Sequence, residues 1–423
     1  MKPIQTPQKD DRYFIHHVTE TGESRSVSAS EHIFSQNGIK LLAKGAPINR
    51  GVFDRLVAHK LLRPLEASIL VDGVLTAFSI RSDIINLVAR STDLQSLGSE
   101  RTALYQIPGH LFIHPTIATK LTILKDRIPW LYTSACISAA LALQFGARIG
   151  LDDSELEMLV SAAIFHDIGE LHIDPAILDQ EGPLNPEQWR QMFTHPVTGY
   201  LMLATIPDYK NGTARLVLEH HERADGSGYP AGLLADELHS LSPAMAIIDT
   251  FVSQFDANGR CANPEGLGVI LRLVAHKFDQ GINTVGLEMA NLLSKNHKDG
   301  GGEDIPSQNA EALLGGIIQF LDSWRGEIRP QLEGRSESLL SLLDRRVRLL
   351  EIYLNRAGLD PANIGAAQSI LSEEPALQSE ATAVLKEADW HRRGISTELL
   401  RIFPNLPEEI GDQKYEALLS WLK

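Results

Sequence analysis

Six residues carry the chemistry this chain could do: His166, Asp167, His195, His220, His221 and Asp249. They are four imidazoles and two carboxylates set in apolar segments, where such groups are costly to bury without a partner. A divalent transition metal is the partner that satisfies all of them. Imidazole and carboxylate ligands without thiolate suit Fe, Mn, Co, Ni or Zn, not Ca or an iron–sulfur centre. A lone histidine on an apolar helix is usually a hydrogen-bonded core or surface residue, and a lone His-Asp dipeptide says little. The ensemble says more, because three separate segments each bring polar groups to a point.

Those segments must be helices that end at the site. "SAAIFHDIGELHIDP" reads as an apolar helix that finishes at His166-Asp167 and breaks at Gly169. "RLVLEHHERADGSGYP" repeats the plan: an apolar helix, two histidines at its end, then a glycine-rich loop closed by Pro230. "AMAIIDTFVSQF" carries a single acid, Asp249, within an apolar stretch. Gly226, Gly228 and Tyr229 are expected to shape the loop over a substrate, with the tyrosine ring packing as an anchor.

Residues 130 to 295, about two-fifths of the chain, resemble the HD-GYP branch of the HD superfamily. "HDIGELHIDPAIL" is similar to that family's HDIGK signature. "PLNPEQWRQMFTHPVTGYLML" is similar to the segment supplying its next histidine, and "HHERADGSGYP" to its HHE…DGSGYP run. The resemblance implies a mainly α fold: an HD-type helical bundle, here with a small α+β N-terminal domain and a helical C-terminal extension. It also implies two or three metal ions and hydrolysis of cyclic di-GMP or a related cyclic dinucleotide. Iron or manganese is the ion expected, as one or two ions on the residues present. The chemistry would be metal-assisted phosphodiester hydrolysis, with Asp167 bridging two ions and Asp167 and Glu170 in the catalytic positions.

The chain departs from the family pattern at four points. The family's upstream histidine falls here at Ser134, and the glutamate some members carry one turn earlier falls at Trp130. The upstream ligand is therefore expected to be lost; His110 and His114, further back near Pro115, are the residues that could stand in for it. Glu170 replaces the lysine of HDIGK, which would meet a substrate phosphate as a point charge; a glutamate there would repel phosphate unless it binds metal itself. The family's Arg-Pro-Tyr-Arg run is reduced to "NGRCANP", leaving Arg260 for substrate binding. Two readings follow: a weakened phosphodiesterase, or a degenerate signalling protein that binds nucleotide or a partner without turnover.

Composition bounds the rest. The 423 residues carry 54 acidic against 39 basic side chains, a formal charge of −15. That leaves no basic field for DNA or RNA, while a small phosphate ligand can be drawn by metal. No window approaches the apolar run a membrane span needs, and residues 1–14 hold no apolar signal core. Two unrelated cysteines, Cys136 and Cys261, make neither a disulfide framework nor a thiolate site. A cytoplasmic bacterial protein is expected. The pattern divides into residues 1–105, a small α+β sensor or docking domain; 106–297, the metal phosphohydrolase domain; a linker at 298–308; and a helical domain at 309–423 that could serve homodimerisation or a signalling partner. In the first part, "HHVTETGESRSVSAS" alternates polar and β-branched residues, and His16-His17 is expected at the surface.

Overall fold

The computed structural model describes residues 11–98, 111–180, 184, 186–209, 212–224, 226, 228–262, 264, 267–268, 271, 279–300, 310–334, 337–360 and parts of 381–422. Helices dominate, as expected for a mainly α protein. Two compact units form: Met1–Pro183 with Gln191–Cys261, and Leu184–Arg190 with Ala262–Lys423. The N-terminal segment and the six metal-ligand candidates therefore share the first unit.

In that unit α1 (Asp11–Ser24) precedes two antiparallel strand pairs. Val27–Ala29 pairs with Ile69–Val71, and Ile33–Phe34 with Lys40–Leu42 across a bulge. Gly45, at φ +77°, turns the chain after the third strand, and the Asn49 side chain caps the next short turn by accepting from the Gly51 amide at 3.1 Å. Residues 16–24, where polar and β-branched residues alternate in the sequence, are helical. Phe14, Ile15 and Val18 line a buried helical stripe. That stripe carries His17 inward, to 4% exposure, so it is not a surface residue. Burial, then the neighbouring His16, lowers the His17 pKa to about 4.

Helices α2 (Ala77–Arg90), α3 (Pro115–Arg127), α4 (Pro129–Ile149), α5 (Asp153–Phe165), α6 (His195–Leu203), α7 (Thr213–Glu219) and α8 (Ser242–Val252) complete the unit. The long α4 is the central element, packing against α2, α3, α5 and α8. It starts at Pro129 and ends at Gly150, whose φ of +73° suits glycine at a helix C-terminus. It is also long and apolar enough to cross a membrane, which corrects the expectation that no window is; 78% of that window is buried within the protein. A core helix passes the same test as a span.

Helix α5 begins with a reciprocal cap. Asp152 Oδ1 accepts from the Ser154 and Glu155 amides at 2.9 Å, while Glu155 Oε2 accepts from the Asp152 amide. The helix ends at His166, and residues Ile168–His172 tighten into a 3-10 turn against α6. Gly169 permits that approach: a Cβ there would lie 2.1 Å from the His195 carbonyl oxygen. Helix α1 packs on the same turn. There the fully buried Lys120 meets Glu66 at 3.1 Å and His172 Nε2 at 3.2 Å, with its ammonium 3.7 Å from the Phe14 ring centre.

In the second unit, Gln280–Gly300, Ala310–Ser323, Glu337–Arg356 and Asp412–Leu422 are helical. Leu339, Leu343, Val347, Leu350 and Leu354 of Glu337–Arg356 are buried at three- and four-residue spacing, and Gly358 follows with φ +76°. The first helix runs through His297–Gly300, where the linker was expected to start; residues 301–309 lie outside the described residues.

Candidate metal centre

Four of the six expected ligands gather at one point. Ligand atoms of Asp167, His195, His220 and His221 all lie within 4.8 Å of one another. Asp167 follows the end of α5, His195 opens α6, and His220-His221 follow α7. Each helix thus spends its apolar length on the core and its terminus on the site. His166 and Asp249 attach at the edge, His166 Nε2 at 2.9 Å from Asp167 Oδ2 and Asp249 Oδ2 at 3.1 Å from His221 Nδ1.

Three of the histidines are oriented by the backbone just before them. Nδ1 of His166, His195 and His220 lies 2.9, 2.7 and 2.6 Å from the carbonyl oxygen three residues earlier, of Ala163, Met192 and Val217. A carbonyl can only accept, so each Nδ1 carries a proton and donates. In a neutral ring Nε2 is then a bare lone pair. His195 Nε2 lies 3.2 Å from His220 Nε2 and 3.3 Å from Asp167 Oδ1. Three electron-pair donors therefore converge with no proton among them, an arrangement that a cation satisfies. Backbone acceptors behind ligand imidazoles are also the usual way a protein fixes tautomer and ring orientation at a metal.

The two oxygens of Asp167 face different groups. Oδ1 looks toward His195 and, at 3.6 Å, His220; Oδ2 looks toward His166. One carboxylate thus spans two half-sites. Charge is divided the same way. Burial lowers His195 and His220 to about 4, leaving both neutral at pH 7. Burial works against charge on His166 as well, but the adjoining Asp167 carboxylate and Asp249 outweigh it and hold the imidazole up at about 9. His166 also holds Asp167 well below the usual carboxylate range, against the effect of burial. His221 does the same for Asp249.

Glu170 is not the exposed negative charge its sequence position suggests. It is 6% exposed, and its Oε2 has no hydrogen-bond partner. Burial, with Asp167 and then Asp249 nearby, pushes its carboxyl well above the ordinary range, which favours the neutral form.

The loop after α7 is built around one residue that sequence reasoning passed over. Glu222 is buried, and its carboxylate accepts from the amides of Ala231, Gly232 and Leu233 at 2.6, 3.0 and 3.0 Å. The signal was present: an acid directly after two candidate ligands, before a glycine-rich loop whose amides need an acceptor. Gly228 is required because a Cβ there would lie 2.4 Å from the Arg223 nitrogen, the Glu222 Cα and the His221 oxygen. Gly226 turns the chain at φ +74°. Tyr229 packs: its ring stacks on His221 at 4.5 Å between centres and lies 4.1 Å from Phe193. Glu219, also overlooked, accepts from the His239 amide and the Ser242 hydroxyl, tying α7 to the start of α8.

On the α4 side a cavity of about 330 Å³ opens beside the cluster, lined among others by Trp130, Ser134, His166, Asp167, Asp249 and Asp256. Ser134 and Trp130 thus stand where the resemblance places a histidine and a glutamate. His114 does not substitute for them: its Nδ1 accepts from the Thr116 amide at 3.3 Å and caps α3. His110 lies outside the described residues. Arg260 is exposed and does not line the cavity.

A helical bundle that collects a His-Asp pair and further histidines at one buried point has the architecture of an HD domain. Residues 119–281 match the HD domain family. Among curated proteins, the chain is 34% identical over 104 residues to the 3'3'-cGAMP-specific phosphodiesterase 3 of Vibrio cholerae, covering 25% of this chain and 22% of that protein. It is 27% identical over 146 residues to a cyclic di-GMP phosphodiesterase of Pseudomonas aeruginosa, covering 34% and 35%. It is 33% identical over 105 residues to a cyclic di-GMP phosphodiesterase response regulator of Xanthomonas campestris, covering 25% and 28%. The chain therefore spans about a fifth to a third of the length of these relatives. Residues 119–281 are thus similar to HD domains, and this part of the chain to the matched parts of those phosphodiesterases.

Proposed function

We propose that the chain is a metal-dependent phosphodiesterase acting on cyclic di-GMP or a related cyclic dinucleotide, with one or two iron or manganese ions. The observation that carries this reading is the convergence of His195 Nε2, His220 Nε2 and Asp167 Oδ1 without a proton between them. His195, His220, His221 and Asp167 would hold the first ion; His166, Asp249 and the second oxygen of Asp167 would contribute to another. An ion there would supply Lewis acidity toward a phosphoryl oxygen and toward water. The protein's own part is placement. The carbonyls of Met192 and Val217 keep the Nδ1 protons of His195 and His220, so Nε2 stays free at neutral pH. Glu222 holds the loop that keeps Tyr229 against His221.

A second reading, binding without turnover, draws on the α4 wall, where Ser134 and Trp130 offer neither imidazole nor carboxylate. One experiment divides the two: metal content of protein reconstituted without oxygen, alongside cyclic di-GMP hydrolysis with added Mn(II) or Fe(II). Metal with turnover supports the enzyme. Metal without turnover favours the binding protein. No metal after reconstitution defeats the proposal.

A further inference from the structure

The α4 wall carries a feature that metal binding does not use. Trp130, in the first turn of α4, is 48% exposed and lines the cavity beside His166, Asp167 and Asp249. It makes no ring contact among the described residues, although an indole side chain ordinarily gains much by burial. The same cavity is lined by Asp256. Asp256 is fixed in place: its Oδ1 accepts from the Asn258 and Arg260 amides at 2.8 and 3.0 Å, and its own backbone pairs with that of Arg260. Its Oδ2 makes no hydrogen bond among the described residues. A flat aromatic face and a rigid free acceptor thus border one space next to the candidate metal centre.

We propose that this cavity is a guanine subsite, in which Trp130 stacks on the base and Asp256 Oδ2 accepts from its N1–H and N2–H edge. The inference rests on the nucleotide-hydrolase reading, which puts the phosphate at the metal centre and leaves the base to be held elsewhere. At about 330 Å³ the cavity lies at the small end of sites for organic ligands, which suits one nucleoside end of a dinucleotide. Stacking alone tolerates any base, because each has a π face. The carboxylate adds selection. Guanine presents two adjacent donors on that edge, whereas adenine presents an acceptor beside its donor, and that acceptor would face the anionic oxygen.

The test uses the full chain, reconstituted with Mn(II), with guanosine and adenosine 5'-monophosphates as probes in calorimetric titration. Metal content is measured on every sample. The wild-type protein should bind the guanosine probe at least about tenfold more tightly than the adenosine probe. Trp130→Ala should weaken both by about ten- to a hundredfold with metal content unchanged, and Trp130→Phe should recover most of the loss. Asp256→Asn should erase the preference for guanine. Equal guanosine binding by wild type and Trp130→Ala, or a preference retained in Asp256→Asn, overturns the subsite. So does failure of the guanosine probe to bind the wild type, whatever the metal content. If the wild type takes up no metal yet binds the guanosine probe through Trp130, the metal reading fails and the subsite stands.

Discussion

The two walls of the site differ in how completely they are furnished. On the α6–α7 wall His195 and His220 each have a backbone acceptor behind them and a lone pair in front, His221 faces Asp249, and the following loop is tied by three amides to Glu222. On the α4 wall the chain presents a hydroxyl and an exposed indole. The difference teaches that the donor groups are concentrated on one side of the cavity, so metal binding and substrate chemistry can be tested apart.

The strongest way to break the comparison is to empty the furnished wall. His220→Ala with His221→Ala should lower metal affinity by at least about a hundredfold, since changes one shell further out already cost ten- to a hundredfold. Elemental analysis after dialysis reads this directly. Metal retained in the double variant would mean that the ion sits elsewhere.

The converse change furnishes the other wall. Ser134→His should raise the metal bound per chain. Combined with Glu170→Lys, it should raise cyclic di-GMP turnover by about tenfold to a hundredfold, the scale of one charge-assisted contact to phosphate, and by more than the separate effects predict. A metal-loaded double variant without hydrolysis would favour the binding protein.

Protons separate the two half-sites. At pH 7 His195 and His220 are neutral, so an ion bound there displaces no proton from them. His166 is charged until about pH 9, so an ion that takes it as ligand must displace its proton. Affinity for a second ion should therefore rise about tenfold per pH unit up to about pH 9 and then level off. Titration in buffers of different ionisation enthalpy should show close to one proton released by that ion. A pH-independent second ion would remove His166 from the ligand set.

The smallest effect concerns Glu170 in the metal-free protein. Its carboxyl titrates near 4.3 when unfolded and well above that when folded, so between those values the folded chain holds the extra proton. Stability is then lost as pH rises through that window. Glu170→Gln removes the loss, so the metal-free variant should melt a few degrees higher than wild type at pH 7 and show no advantage below about pH 4. A lower melting temperature at pH 7 would show that Glu170 has an ionised role.

Much of this was legible in the residues. Apolar helices ending at His166-Asp167 and at His220-His221 announce where their polar groups converge, because a helix that buries its length can place charge only at its end. Gly228 and Gly226 mark a tight loop for the same local reason. The helical nature of residues 16–24 was not legible. Its β-branched residues and glycine argue weakly against a helix, and only packing of Phe14, Ile15 and Val18 against the rest of the unit overrides them.

By itself, then, the sequence determined the mainly helical architecture, the set of metal-ligand candidates and the loss of donors at Ser134 and Trp130, since these depend on residue type and spacing along single elements. Only the tertiary structure decided how those residues act. It set Asp167 between His166 and the His195–His220 pair, and so held His166 charged beside two neutral imidazoles. It pushed the Glu170 carboxyl toward its neutral form by burying it near Asp167 and Asp249. It set Trp130 and Asp256, more than a hundred residues apart, on one cavity. Protonation and recognition depend on distance and dielectric between distant segments, and neither quantity is written in the order of residues along a chain.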